Sequence, residues 1–310
     1  MRVWLKAVLM GVALPLLGSA ADSYINTASV FELWCSARAL GMGGAFIALA
    51  NDGAAVYYNP AGLAFLPTNA FSSLYTRPFG AYSFGVLGLA GRTWGAQLLI
   101  LDSDTLEERD LYGNVIGSFR FTETGVILGT GFTLGTHFAF GIQIKLYSLI
   151  FPDNGFGLAL SPGILYTQGA LTYGIVWRNL VSTDIYYSNR HTEPWIRDIA
   201  VGISWREEDR VICVDFTEHL ITRGDIRCVR LGVEYTRFWP VVLRAGVNRE
   251  GSSLGLSAYW ENMQIDFACL LHKELPPSYL LAFSYQWEGS LLQPLKGLSH
   301  SQTRRANAQE

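Results

Sequence analysis

The sequence predicts an all-β protein, a transmembrane antiparallel β-barrel of about fourteen strands. Three observations lead to this prediction: a secretory leader, an apolar composition without long apolar runs, and repeated alternation along the chain. Half of the 310 residues are hydrophobic and 16% are charged. Beyond the leader, no run reaches the roughly 20 apolar residues that a membrane-spanning helix needs. The apolar residues are therefore expected in many short strands.

The first twenty residues have the features of a signal peptide. Arg2 and Lys6 give a positive start, residues 7–17 are apolar, and small residues precede a cleavage site after Ala20. An uncleaved helical anchor is the alternative, but the apolar run is short for that role. The mature chain is expected to begin near Ala21 and to reach the outer membrane of a Gram-negative-type bacterium.

Alternation with a period of two indicates the strands. In residues 138–147, one face carries Phe, Ile and Leu, while the other carries Ala, Gly, Gln, Lys and Tyr. Residues 198–206, 228–235 and 264–271 repeat the pattern. Side chains alternate between the two faces of a strand, so this period predicts β-structure with two chemically different faces.

The second face distinguishes a membrane barrel from a soluble one. It is rich in Gly, Ala and Ser and carries isolated charges of both signs, which suits a narrow polar lumen, while the bulky face suits lipid. Aromatic residues near strand ends, Trp195 and Trp205 among them, suggest membrane-interface girdles. A secreted β-sandwich or soluble barrel is the alternative. The predicted polar lumen residues are Lys145, Asp198, Arg206, Asp215, Arg230, Glu234, Arg244 and Asp266.

Turn signals divide the chain into fifteen candidate strands. Bacterial single-chain barrels have even strand numbers, so fourteen are expected, with the false candidate near residue 70 or within 115–133. The barrel is predicted over residues 69–290. The polar segments 103–115 and 181–194 are expected to be extracellular loops, and residues 291–310 a disordered polar tail.

The segment from Ser36 to Leu63 is dominated by small residues and ends in Asn59-Pro60-Ala61. It is too short and too interrupted to cross a bilayer as a helix. Its composition suits a compact plug, and residues 21–68 are therefore predicted to form an N-terminal hatch inside the barrel. Asn59-Pro60-Ala61 is the expected pivot that fixes the hatch against the wall.

The same segment carries the pattern R-A-x-G-M-G-G-A-x-x-A-x-A-x-D followed by N-P-A-G-L. This pattern resembles the N-terminal signature of PorV/PorQ-type outer-membrane proteins, relatives of the FadL-type hydrophobic-compound transporters. The resemblance implies a fourteen-stranded barrel with the N-terminal segment folded inside as a hatch. The matching hatch residues include Arg38, Gly41, Gly43, Gly44, Asp52, Asn59, Pro60 and Ala61.

No motif predicts catalysis, a cofactor or a metal site. Residues 251–255 spell G-x-S-x-G, but a nucleophile elbow needs a helix after the serine, and an alternating strand follows here. The five histidines are scattered without ligand spacing. A net charge of −3 argues against nucleic-acid binding, which favours a basic surface. The sequence therefore predicts a protein that is not an enzyme.

Four cysteines are present, and two of them flank one predicted hairpin. Cys213 and Cys228 are symmetric about a centre near residues 220–221, and both belong to the predicted polar face. A cross-strand disulfide is one interpretation, and two free thiols are the other. Cys35 lies in the hatch region and Cys269 on the predicted lipid face.

Two function classes remain open at this stage. One is a passive channel or binding protein for hydrophobic or small amphipathic molecules, with outer-membrane lipid and a hydrophobic ligand as partners. The other is a non-transporting outer-membrane scaffold or secretion accessory of the PorV type, with a secretion or periplasmic protein as partner. The first predicts a continuous path past the hatch, and the second a plugged lumen.

Overall fold

The computed structural model describes residues 28–80, 82–150, 153–219 and 227–288. The predicted signal peptide and the predicted polar tail lie outside the described residues. No described helix is both long enough and apolar enough to cross a membrane.

Fourteen antiparallel strands form the wall of the molecule. In chain order, β1 to β14 span Asn69–Thr76, Tyr82–Gly91, Trp94–Ser103, Thr122–Leu134, Phe138–Ile150, Gly155–Gln168, Leu171–Arg178, Asp198–Glu207, Arg210–His219, Arg227–Tyr235, Val241–Val247, Gly251–Trp260, Met263–His272 and Ser278–Trp287. Each strand pairs with the next in the chain. β1 also pairs with β14, from Asn69 opposite Trp287 to Thr76 opposite Leu280. The sheet is therefore a closed barrel, and closure leaves no free edge. The predicted fourteen-stranded fold is confirmed.

The barrel has two distinct ends. Asn69 and Trp287 lie at one end, which we call the terminal end, and the opposite end is called the loop end. The connections at the terminal end are mostly short turns, such as the one between Gly91 and Trp94. The longest connections, residues 104–121 and 179–197, lie at the loop end.

The two faces of each strand differ as the alternation predicts. Ile144 in β5 is 44% exposed, while the next residue, Lys145, is 3% exposed. Leu256 and Ser257 in β12 show the same contrast, with 44% and 0% exposed. The outward face is an apolar surface that encircles the barrel, and we call it the apolar band. The inward face is small and polar.

The first long connection holds a separate hairpin, Leu106–Arg109 paired with Val115–Phe119. The predicted strand at 115–122 therefore belongs to this hairpin and is the false candidate, since β4 begins at Thr122. The second connection, predicted as a plain loop, contains the short strands Val181–Ser182, Ile185–Tyr187 and Thr192–Glu193.

The wall is interrupted between β7 and β8. Their backbone ladder ends at Arg178 opposite Asp198, and pairing resumes at Ile185 opposite Glu193. Between these points, residues 179–184 face residues 194–197 without ladder pairing, although Val181 and Ser182 still pair with β6. We call this interruption the wall break.

Side chains bridge the wall break instead of backbone groups. Asn179 Nδ2 donates to Ile196 O at 2.7 Å, and Arg197 Nη2 donates to Ser182 Oγ at 3.4 Å. The outward residues beside the break are apolar, with Trp177 40% and Val181 63% exposed. The break therefore lies at the height of the apolar band.

Five short helical segments occur in the described residues besides the strands. Four of them lie before β1: a 3₁₀ turn at Ser29–Phe31, α1 at Ala37–Gly41, α2 at Ala55–Tyr58, and a 3₁₀ helix at Pro60–Phe65. Another 3₁₀ turn, Pro78–Gly80, follows β1. Ser36 caps α1 by accepting a bond from Ala39 N at 3.2 Å, because helix starts leave amides without partners. We call residues 28–66 the inner segment.

Two sequence predictions are wrong. Trp195 does not join an outer aromatic girdle, because its side chain is 3% exposed and packs inside the barrel. Cys213 and Cys228 are not cross-strand neighbours, and of the two interpretations for this pair the structure shows free thiols, as it does for Cys35 and Cys269. Cys213 pairs with Gly232 and Cys228 with Thr217, so the two cysteines are offset by four positions. The reason is the register: the true symmetry point lies two residues later than the predicted centre, which itself falls outside the described residues.

Candidate functional site

The inner segment lies within the barrel and is bonded to its wall. Phe46 N and Ile47 N donate to one carboxylate oxygen of Asp215 in β9, at 2.6 and 2.8 Å. Gly43 N donates to Ser253 Oγ in β12 at 3.0 Å. Gly43 N also donates to Leu40 O at 2.8 Å, whereas the wall carboxylate of Asp215 supplies the acceptor that the buried amides of Phe46 and Ile47 require.

Inward-facing glycines let the inner segment approach the wall closely. A Cβ at Gly129 would lie 2.8 Å from Val56 Cγ2, and one at Gly174 would lie 2.7 Å from Ile47 O. Nine strands carry such a glycine, and we call the set the glycine belt: Gly95, Gly129, Gly141, Gly163, Gly174, Gly202, Gly232, Gly246 and Gly255. Side chains at these positions would occupy the volume that the inner segment now fills.

The predicted hatch residues occupy this contact zone. Gly43 and Gly44 adopt φ values of 65° and 82°, a left-handed conformation that glycine adopts without strain. Gly41 lies against Gly255 of the belt. Pro60 and Ala61 pack against Gly141 in β5.

Asn59 joins two parts of the inner segment to the wall. Its Nδ2 donates to Ile47 O at 3.0 Å and to Ile164 O in β6 at 3.2 Å. Its Oδ1 accepts a bond from Ala61 N at 3.2 Å, which caps the following 3₁₀ helix. Every hydrogen-bonding atom of this buried amide group is therefore occupied.

A chain of buried charges links the inner segment to four strands. Arg38 pairs with Asp52 and with Glu234 of β10, both at 2.9 Å. Glu234 also pairs with Arg244 of β11 at 2.7 Å, and Arg244 lies 3.7 Å from Asp266 of β13. Ser257 of β12 bonds to Arg244 and Asp266. We call these residues the ion network.

An aromatic cluster covers the inner side of the wall break. Phe31, Tyr147 and Trp195 form it, with ring centroids 5.7 to 6.5 Å apart. Lys145 extends over this cluster, with Nζ 5.2 Å from the ring centroid of Phe31 and 5.9 Å from that of Tyr57. The wall break is therefore closed from inside by aromatic rings and one cation.

Further charges face the same interior space. Glu32 is accessible to solvent, but it lies deep within the barrel, where reduced hydration raises the pKa of its carboxyl group. The negative charge of Asp198 raises that pKa further, and the positive charges of Lys145, Arg178 and Arg230 oppose these effects. Arg178 pairs with Asp198 at 3.3 Å.

A polar groove runs between the inner segment and the wall formed by β13, β14, β1, β2 and β3. Its cavity volume is about 100 Å³. Ser72, Gln286 and Thr68 line the part near the terminal end, and Asp266 lines the side next to the ion network. Cys35 lines the groove as well.

The structure brings most of the predicted lumen residues inside the barrel. Arg230 donates to Thr217 Oγ1 at 2.7 Å, and Arg206, near the terminal end of β8, is exposed. Sequence reasoning missed Glu32, Asn179 and Trp195, because all three lie outside regular alternation. No group of three or more His, Cys, Asp or Glu residues that could hold a metal ion occurs in the described part of the chain.

Comparison with solved structures finds the same fold. The P. putida toluene transporter TodX is 13% identical, with a TM-score of 0.60 over 81% of this chain and 98% of that chain. The CymD monoaromatic hydrocarbon channel is 13% identical, with a TM-score of 0.59 over 81% and 97%. A Pseudomonas aeruginosa FadL homologue is 10% identical, with a TM-score of 0.52 over 80% and 97%. No family model matches the sequence, and no curated protein does either. At these identities the likeness shows a shared fold.

The glycine belt generates the first prediction. Gly174→Ala should destabilise the protein by about 1–3 kcal/mol, because the added methyl group would overlap Ile47 O. Gly85→Ala is the matched control, since Gly85 faces outward and its added Cβ would lie 3.9 Å from the nearest atom, Leu74 O. The free energy of unfolding, measured by denaturant titration in lipid vesicles, checks both variants. Equal stability of the two variants would contradict the close approach.

The ion network generates the second prediction. Glu234→Gln should cost about 3–5 kcal/mol of stability, because it leaves the buried guanidinium groups of Arg38 and Arg244 without their shared carboxylate. It should also speed tryptic cleavage after Arg38 by loosening the inner segment. Glu107→Gln, which breaks an exposed ion pair with Arg109, should change stability by less than about 1 kcal/mol. Unchanged protease protection of the Glu234→Gln variant would show that the network does not hold the segment.

Proposed function

We propose that this protein is an outer-membrane channel that admits small hydrophobic or amphipathic molecules, with the inner segment acting as a hatch. The observation that carries the proposal is the wall break. It lies at the height of the apolar band and leads to an aromatic cluster inside the barrel. The fold shared with a toluene transporter and a monoaromatic hydrocarbon channel supports the same class of ligand.

Apolar molecules favour contact with apolar surfaces, so a route between the lumen and the hydrocarbon layer suits them better than a water-filled pore. At the wall break, two side-chain hydrogen bonds replace the backbone ladder, those of Asn179 and Arg197. Separating these two bonds costs less than separating a paired strand, because fewer hydrogen bonds are broken. The bond of Asn179 contributes about 0.5–1.5 kcal/mol net, and that of Arg197, whose donor is charged, about 1.5–3 kcal/mol. We propose that ligands pass through the wall at this point, next to Trp195.

The inner segment controls passage along the barrel axis, between the wall break and the terminal end. It occupies the lumen at the glycine belt, so a straight pore along the barrel axis is blocked there. The polar groove beside β14 and β1 leaves the terminal end accessible without removal of the segment. In this proposal the terminal end faces the periplasm, and the hatch shifts within the barrel to widen the groove.

The tight anchoring of the inner segment favours a second candidate function. Five charged groups and the glycine belt hold the segment, so the lumen is plugged as a scaffold or secretion accessory of the PorV type requires. In that case the hairpin at the loop end offers a surface for a secretion or periplasmic protein. Leu111 and Tyr112 lie in the turn of this hairpin and are fully or almost fully exposed.

Uptake by intact cells tests the channel. A Gram-negative host without its own hydrocarbon channels should take up radiolabelled toluene faster when it produces this protein at matched outer-membrane levels. Trp195→Ala should raise the initial rate further, because it removes the ring that closes the wall break from inside. Trp205→Ala is the control, since Trp205 faces outward on β8 and does not touch the break.

The outcomes separate the two candidates. An uptake rate equal to that of the host alone, for the unaltered protein and for both variants, would overturn the channel and favour the scaffold. An equal effect of the Trp195 and Trp205 substitutions would retain the channel but remove the wall break as its entrance.

Membrane insertion of the apolar band gives a further prediction. Ile144→Arg, at the middle of β5, should cost roughly 2–4 kcal/mol in lipid vesicles, and Ile150→Arg, at the strand end, about 0–1 kcal/mol. Both side chains face outward and both substitutions replace isoleucine with arginine, so the two variants differ only in their depth in the membrane. Denaturant unfolding in vesicles measures both values. Equal costs would show that the band does not contact hydrocarbon.

A further inference from the structure

Lys145 is a buried cation whose charge has no described counterpart in contact with it. Its side chain is 3% exposed, and its described contacts are the faces of Phe31 and Tyr57. Burying an ammonium group is unfavourable unless it is paired. Three other inward cations do pair with carboxylates: Arg178 with Asp198, and both Arg38 and Arg244 with Glu234. Lys145 is therefore placed for an acceptor that comes from elsewhere.

A second donor lies in the same place. Trp195 Nε1 is buried and has no acceptor among the described residues. Both Trp195 and Lys145 border Phe31, at 5.7 Å between ring centroids and 5.2 Å from Nζ to the ring centroid. Indole N–H groups and ammonium groups are donors without acceptor capacity. Two unfilled donors thus stand beside a wall of aromatic rings.

Charged groups of both signs border this space. Arg178 and Asp198 form an ion pair at 3.3 Å, and Arg230 donates to Thr217 Oγ1 at 2.7 Å. Glu32 adds a negative charge. Within the described residues, Lys145 contacts aromatic faces and forms no ion pair with a carboxylate, so its positive charge is the one that an anionic ligand would meet.

We propose that Lys145 is a specificity-determining residue that receives the anionic group of a small organic acid, while the aromatic cluster holds the body of that molecule. The inference rests on the proposed function and narrows its ligand class from hydrophobic molecules in general to amphipathic organic anions. A hydrocarbon would leave both donors unfilled, whereas a carboxylate accepts from each of them.

The polar groove agrees with such a ligand. Cys35 lines the groove, and its Sγ donates to Leu33 O at 3.5 Å. Tyr57, whose ring lies 5.9 Å from Lys145 Nζ, donates to the same carbonyl at 3.3 Å, so the two regions are adjacent. The groove then continues past Ser72 and Gln286, whose side chains bond polar groups. An organic anion could therefore form hydrogen bonds with side chains that line the groove, whereas a hydrocarbon has no group that could do so.

Benzoate and benzamide are the probes for this proposal, because they share a ring and nearly the same shape but differ in charge. Binding of each radiolabelled compound to the purified full-length protein is measured by equilibrium dialysis. The unaltered protein should bind benzoate at least about tenfold more tightly than benzamide, because a charged acceptor forms stronger hydrogen bonds than a neutral one. Tenfold corresponds to about 1.4 kcal/mol.

Four variants separate recognition from a structural effect. Lys145→Met should abolish the preference for benzoate, and Lys145→Arg should retain it. Glu32→Gln should increase the preference, because it removes the opposing negative charge from the same space. Lys273→Met, an exposed lysine in the connection between β13 and β14, is the matched control and should leave the preference unchanged.

The proposal is overturned if Lys145→Met keeps the full preference, if Glu32→Gln leaves it unchanged, or if the unaltered protein binds benzamide as tightly as benzoate. Failure of the proposed function looks different, because it appears as absent toluene uptake by cells. A protein that speeds toluene uptake but shows no Lys145-dependent preference would retain the channel and refute the anion site.

Discussion

The close approach of the inner segment to the barrel wall is the constraint on which the rest of the structure depends. A fourteen-stranded wall encloses more space than its own inward side chains fill, and the glycine belt enlarges that space at one level. The backbone of the inner segment fills it and brings buried amides that need acceptors. Asp215 and Ser253 supply those acceptors, so inward polar residues follow from the presence of the segment.

The interior of the barrel has two chemically different sides, because the inner segment contacts the wall through different groups on each side. On the side of β10 to β13, the ion network binds the segment through paired charges such as Arg38 and Glu234. On the side of β5 to β8, aromatic rings and the cation of Lys145 lie beside one ion pair, that of Arg178 with Asp198. The same barrel therefore holds a firmly bonded region and a region with unfilled donors, and the proposed ligand site lies in the second.

The sequence predicts the properties that depend on local periodicity. The facing of Ile144 and Lys145 follows from alternation, because the sequence of one strand is enough to distinguish its two faces. The number of strands also needs the rule that bacterial single-chain barrels have even strand numbers, since turn signals alone give fifteen. The register between two strands does not follow from alternation. The centre of one hairpin lies two residues later than the sequence suggests, and the partner of Cys213 is therefore Gly232 and not Cys228, four positions away. The alignment of the glycines into a belt also depends on register. Trp195 lies outside any strand, so no periodic signal could assign it to the interior.

The distribution of the belt has a consequence for how the barrel is completed. The belt glycines lie on strands from β3 to β12, while β13, β14, β1 and β2, which contain the closing pair, carry none. These four strands also border the polar groove, where the wall and the inner segment stand apart. The strands that close the sheet therefore do so where no belt glycine is needed to admit the backbone of the inner segment. The seam of the barrel and its internal groove lie on the same side of the molecule, so the closing pair borders open space where the other strands border packed backbone.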